Sequence, residues 1–146
     1  YLMRLLLLNG PNMNLLGERE PHRYGGRTLG DVEAELSTYT QSRGVELRCA
    51  QSNHEGELVE LIQQARTDCA GIIINPAGYG HSSVALRDAI LAVALPTIEV
   101  HLTNIAGREP FRQKTLIADV VLGRISGFGV HGYRLAIDGL LEHLNS

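Results

Sequence analysis

Leu5-Leu-Leu-Leu-Asn-Gly-Pro-Asn-Met-Asn-Leu-Leu-Gly-Glu-Arg-Glu-Pro-His-Arg-Tyr24 begins as an apolar run and breaks abruptly at Asn9-Gly10-Pro11-Asn12. A short apolar run with turn residues directly behind it fits a buried strand of a parallel sheet. Gly10 and Pro11 end that strand, and Asn12 and Asn14 set amide groups beside its carboxyl end. The next segment holds Arg19, Arg23 and Tyr24 between Gly17 and Gly25-Gly26. Glycine at both ends predicts a loop that swings over the strand end, with residues 18–26 as a lid.

The rest of the chain repeats this plan. Leu29, Val32, Leu36 and Tyr39 share one helical face, opened by a capping-box pattern at Thr28 and Asp31 and closed by Gly44. Residues 45–50 alternate apolar and polar, as an edge strand does, and run into Gln51-Ser52-Asn53-His54. A helix over 57–66 leads to Gly71-Ile-Ile-Ile74, the clearest buried strand, which stops at Asn75-Pro76. Ser82 and Ser83 can cap a helix over 84–93, and Pro96 precedes a strand over 97–102. The spacing then predicts a last strand over 119–126, a glycine-rich turn over 127–132 and an amphipathic helix built on Tyr133, Ala136, Ile137, Leu140, Leu141 and Leu144. Five strands alternating with helices imply a parallel sheet covered on both faces. At 146 residues this predicts one α/β domain over 1–146, a flavodoxin-like three-layer sandwich with a five-stranded parallel sheet. Ligands of such sheets bind outside the carboxyl ends of the strands, which is where this chain concentrates Asn9, Asn12, Asn53, His54, Asn75, His81, His101 and Asn104.

Composition narrows the function classes. A net charge of −3 gives no electrostatic case for nucleic acid or an anionic membrane. No apolar run approaches membrane-spanning length, and the apolar start is too short for a signal peptide, so a cytoplasmic protein is expected. Cys49 and Cys69 have neither metal-type nor C-x-x-C spacing. Lys114 is the sole lysine among 13 basic residues, which leaves one candidate for Schiff-base chemistry. No P-loop, dinucleotide fingerprint, metal spacing or nucleophile elbow is present, so a nucleotide site and a metal centre of these kinds are not expected.

The sharpest local signal lies in Thr97-Ile-Glu-Val-His-Leu102. A buried strand should be apolar on both faces. Here Ile98, Val100 and Leu102 fill one face, while Thr97, Glu99 and His101 line the other. A carboxylate beside an imidazole fixes its tautomer and favours the protonated form, as a general acid requires. Arg108 and Arg112 follow in a loop suited to a carboxylate or polyol ligand. On the residues alone, a solvated loop remains open for these arginines and a surface role for Asp88.

Taken together, these segments resemble the type II 3-dehydroquinate dehydratases. The carriers are Asn9-Gly-Pro-Asn-Met-Asn-Leu-Leu-Gly-Glu-Arg-Glu-Pro21, Tyr24-Gly25, Gln51-Ser-Asn-His-Glu-Gly56, Ile74-Asn-Pro76, His81, Ser83-Val-Ala-Leu-Arg-Asp88, Ile98-Glu-Val-His101, Arg108-Glu-Pro-Phe-Arg112 and Gly127-Phe-Gly129. The resemblance implies a cofactor-free dehydration of 3-dehydroquinate and self-association to a dodecamer of trimers. It implies Tyr24 as base, Arg19 as the cation holding it ionised, Asn12 as the group positioning water on an enolate, and His101 as acid. It further implies Asn75 and the backbone of Leu102 and Thr103 at the substrate carboxylate, His81 and Arg112 at ring hydroxyls, and Asp88 reaching a neighbouring subunit's site. The pattern is departed from at Ala77-Gly78, Gly80, Ala106-Gly107 and Gln113-Lys114-Thr115, and none of these removes a proposed catalytic group. Two competing readings are a non-catalytic module binding a small anion and a lyase or isomerase for another hydroxy-keto acid.

Overall fold

Strands β1 (Met3–Asn9), β2 (Val45–Gln51), β3 (Gly71–Asn75), β4 (Thr97–His101) and β5 (Gly123–Ser126) form one parallel sheet in the order β2-β1-β3-β4-β5. This computed structural model describes residues 2–18 and 26–146. Helices α1 (Leu29–Ser42), α2 (Glu55–Asp68), α3 (Val84–Val93) and α4 (His131–Leu144) alternate with the strands. Side-chain alternation in the strands divides the core in two. Leu5, Leu7, Ile73, Ile98 and Val100 pack with α1 and α4, whereas Leu6, Leu8, Ile72 and Ile74 pack with α2 and α3. The expected flavodoxin-like three-layer sandwich is therefore the observed architecture, with its topological switch between β1 and β3.

Local chemistry sets most boundaries where the sequence puts them. Thr28 accepts from the Asp31 N–H while the Asp31 side chain accepts from the Thr28 N–H, which completes the capping box of α1. Ser83 caps α3 through the Leu86 N–H. The last strand is the main correction. It starts at Gly123, not at residue 119, because pairing with β4 begins at Ile98↔Gly123. Val120 and Val121 instead turn across the α2–α3 side and pack against that half of the core. Helix α2 also extends beyond the expected 57–66 at both ends.

Two close approaches shape the carboxyl edge. A Cβ on Gly10 would lie 2.4 Å from the Pro76 carbonyl oxygen, so only glycine lets β1 leave the sheet against the end of β3. Gly17, at φ +85°, has its Cβ position 2.5 Å from the Arg27 carbonyl oxygen. The two ends of the 18–26 segment thus meet. Arg19, Tyr24 and most of the expected lid lie outside the described residues.

Candidate active site

A cleft of about 270 Å³ opens at the carboxyl ends of β1, β3 and β4. It is lined by Asn12, Asn75, His81, His101, Leu102, Thr103, Arg108 and Arg112, with Met13, Leu16 and Ile105 as apolar walls. The sheet topology thus gathers seven of the expected site residues into one depression. Glu99 lies directly behind it, fully buried. Asp88 does not line the cleft and is exposed on α3.

His101 and Glu99 form the centre. As strand alternation requires, both leave β4 on the same face, and His101 Nε2 lies 2.5 Å from Glu99 Oε2. A carboxylate only accepts, so Nε2 carries the proton and Nδ1 is the nitrogen left for chemistry. The second Glu99 oxygen accepts from Thr115 Oγ1 at 3.2 Å and from Arg124 Nε at 3.1 Å. Burial pushes the Glu99 carboxyl up, but the His101 hydrogen bond and charge, the Thr115 hydroxyl and the Arg124 charge outweigh it and hold the group below its ordinary value.

The other groups are held as firmly. His81 Nδ1 lies 2.8 Å from the Lys114 carbonyl oxygen, so that nitrogen is the donor and Nε2 is the free one. The His81 ring stacks on His101 with centroids 5.9 Å apart. Asn75 Oδ1 accepts from the Ala77 N–H, and Asn75 Nδ2 donates to the Tyr133 hydroxyl at 3.0 Å and faces Met13 Sδ at 3.5 Å. The Tyr133 hydroxyl in turn donates to Asn9 Oδ1 at 2.5 Å. Ser126 Oγ donates to the Thr103 carbonyl and accepts from the Ile105 N–H, which ties the loop after β4 to β5. Glu109 is shared between Arg108 and Arg112, and the Arg112 guanidinium lies over the Phe111 ring. Two non-glycine residues with positive φ, Asn12 (70°) and Ala77 (52°), both line the cleft. Such strain is found where a site needs one particular backbone shape.

The polar roles of Tyr133, Arg124 and Thr115 have no local sequence signal. Tyr133 reads as a core residue of an amphipathic helix, and only its position 58 residues from Asn75 in sequence but beside it in space gives it a polar role. Arg124 becomes a partner of Glu99 through the β4–β5 register, which pairs the two directly. Burial pushes the Cys49 thiol up to about 12 and raises Cys69 as well, which disfavours the thiolate at both. Lys114 is exposed and lines no part of the cleft. Among the described residues no cluster of His, Cys, Asp or Glu could hold a metal, and no helix is long and apolar enough to cross a membrane.

Fold and site together define a flavodoxin-like α/β protein with a buried carboxylate–imidazole pair at the strand ends of a small polar cleft. The profile of the family described as "Dehydroquinase class II" matches residues 3–141, and the chain belongs to this family. It is 54% identical over 142 residues to the 3-dehydroquinate dehydratase of Prochlorococcus marinus (strain MIT 9313), covering 97% of this chain and 95% of that one. It is 52% identical to the 3-dehydroquinate dehydratase of Synechococcus sp. (strain CC9902), covering 97% of both. The crystal structure of type II dehydroquinase from Butyrivibrio crossotus DSM 2876 superposes with a TM-score of 0.92 at 42% identity, over 95% of this chain and 97% of that one. That from Propionibacterium acnes gives 0.89 at 39% identity, over 96% and 98%.

Proposed function

We propose that this chain is a 3-dehydroquinate dehydratase that removes water from 3-dehydroquinate by way of an enolate. The observation that carries the reading is His101 in the cleft wall, backed by the buried Glu99 carboxylate at 2.5 Å. Tyr24, ionised beside Arg19, takes the C2 proton next to the ketone. A free tyrosine has a pKa near ~10, so a neutral-pH base of this kind needs a cation beside it. The C2–H electrons form the enolate, whose oxygen is met by a water held at Asn12. As the enolate collapses, the C1–O bond breaks and His101 Nδ1 gives its proton to the departing hydroxyl, which leaves as water. His101 Nε2–H stays on Glu99 throughout, so the ring keeps its orientation while its charge changes.

Binding follows from the same cleft. The substrate carboxylate sits at Asn75 and the backbone of Leu102 and Thr103, displacing the weak contact of Asn75 Nδ2 with Met13 Sδ. His81 Nε2 and Arg112 take the ring hydroxyls. Asp88, exposed and away from its own cleft, completes a neighbouring subunit's site, so we expect symmetric trimers assembled into a dodecamer. Sedimentation at assay concentration checks this, and a fully active monomer would refute it. The activity itself is tested by the absorbance of the conjugated enone formed from 3-dehydroquinate. No absorbance gain at any enzyme concentration, with ligand binding retained, would point to the small-anion binding module instead.

A further inference from the structure

The Glu99–His101 pair is held from behind by a charged group outside the cleft. Arg124 on β5 stands opposite Glu99 on β4 in register. Its Nε donates to Glu99 Oε1 at 3.1 Å, and its Nη2 reaches Thr115 Oγ1 at 3.5 Å. Thr115 donates to the same Glu99 oxygen at 3.2 Å. Glu99 therefore gives one oxygen to His101 and the other to Arg124 and Thr115, with none of its surface in solvent. Neither Arg124 nor Thr115 lines the cleft.

We infer that Arg124 is a positioning residue for the acid step, a permanent counter-ion that keeps Glu99 anchored and charged whether His101 carries one proton or two. This rests on the dehydratase reading given above. Charge balance sets this role. When His101 gives up its proton, Glu99 becomes a buried carboxylate beside a neutral ring. Such a group is costly unless it is paired and hydrogen-bonded. With Arg124 in place the cluster goes from net +1 to net 0 during the step. Without it the cluster would go from net 0 to net −1, and the pair would hold its proton more tightly. Arg124 thus eases proton release from His101, and Thr115 supports the same oxygen with a neutral donor.

Other charged groups near the pair are placed differently. His81 stacks on His101 from the 3₁₀ turn before α3. Arg108 and Arg112 face the cleft and share Glu109. On α3, Arg87 is bound to Asp119 and to the Leu116 carbonyl, and Asp88 is exposed beside it. Among the described residues, Arg124 is the arginine in contact with Glu99, beside the titratable His101.

The test is the pH profile of kcat/KM for wild type, Arg124→Met, Arg124→Lys and Thr115→Val, with kcat and KM measured separately. Arg124→Met should move the alkaline limb to higher pH by about half a unit, a size discounted for the part-exposed arginine. It should lower kcat by about tenfold, a usual scale for losing a group that orients a catalytic one, with KM nearly unchanged. Arg124→Lys should restore the wild-type limb. Thr115→Val should move it in the same direction by less, and it supplies the test if Arg124→Met does not fold. An Arg124→Met profile superimposable on wild type overturns the inference, as does an Arg124→Lys limb displaced as far as that of Arg124→Met. If the dehydratase reading itself fails, wild type forms no enone, which is a separate result.

Discussion

Two clusters of arginine and carboxylate sit toward opposite ends of the sheet, and they have nearly the same ingredients. Toward the amino end, Asp68 pairs with Arg48 at 2.5 Å and with Arg4 at 3.1 Å, and Arg4 also reaches Glu46 at 3.0 Å. At the carboxyl end, Glu99 pairs with Arg124 at 3.1 Å and with His101 at 2.5 Å. The distances do not separate them, but the surroundings do. The side chains of the first cluster are 28–47% exposed, whereas that of Glu99 is 0% and that of His101 6% exposed, with only Arg124, at 39%, reaching water. Water and salt screen the first cluster, so its charges weigh little on one another. The second lies where a charge is felt strongly and an unpaired one is costly. A proton-transfer group needs the second kind of place.

The comparison breaks most visibly at His101. His101→Ala should lower kcat by about 10³-fold, the scale of a lost general acid, and should change KM far less. Tyr24→Phe should show the same split, since in the proposed mechanism both groups act only as the reaction proceeds. Steady-state kinetics against 3-dehydroquinate measure both. If His101→Ala keeps kcat near wild type, another donor protonates the leaving hydroxyl and the buried cluster is structural.

Glu99→Gln is the next sharpest cut, because it keeps the shape and removes the charge. It should lower kcat about tenfold and move the alkaline limb of kcat/KM to lower pH, opposite in sign to Arg124→Met. The limb is a macroscopic property of the coupled pair, so the sign of its movement is the readout. The carboxylate also bears on stability. The folded state holds the Glu99 carboxyl below its ordinary value. Its contribution is therefore full above the unfolded value of about 4.3 and is lost as pH falls through the folded value. Denaturant midpoints of Glu99→Gln should accordingly depend less on pH in the acid range than those of wild type. An unmoved alkaline limb would mean that Glu99 does not tune the histidine.

How far these two clusters could be read in advance follows from range along the chain. The Glu99–His101 pair is local, two residues on one strand, and strand alternation alone predicts it. The caps of α1 and α3 are equally local and hold as expected. Arg124 and Tyr133 act on residues far away in sequence, 25 residues from Glu99 and 124 from Asn9. Their roles depend on strand register and helix placement, which no short window contains. The misplaced start of β5 has the same origin. Val120-Val121-Leu122 is apolar whether it pairs as a strand or packs as a turn, and periodicity does not separate the two. The Arg4–Asp68 contact likewise needs the end of α2 folded back onto the start of β1. The resemblance points to residues that line the cleft, such as Asn75, His81 and His101; only the fold shows what stands behind them.

The smallest effect belongs to the exposed cluster and completes the contrast. The hydrogen bond from Arg48 is the main cause holding the Asp68 carboxyl below its ordinary value, with the charges of Arg48 and Arg4 adding to it and burial opposing. A lowered folded value means that the contribution exists above the unfolded value of about 3.9 and vanishes as pH falls through the folded one. Asp68→Asn should therefore cost a little stability near neutral pH and nothing in strong acid, and the cost at neutral pH should shrink as salt is added. Activity should not change, because the cluster lies away from the cleft. Urea midpoints at neutral and acid pH, in low and high salt, together with kcat/KM, measure all of this. A pH–rate limb that moves in Asp68→Asn as it does in Glu99→Gln would erase the difference between the two ends of the sheet. A salt-insensitive loss of stability would show that Asp68 is shielded from water to an extent its 36% side-chain exposure does not suggest.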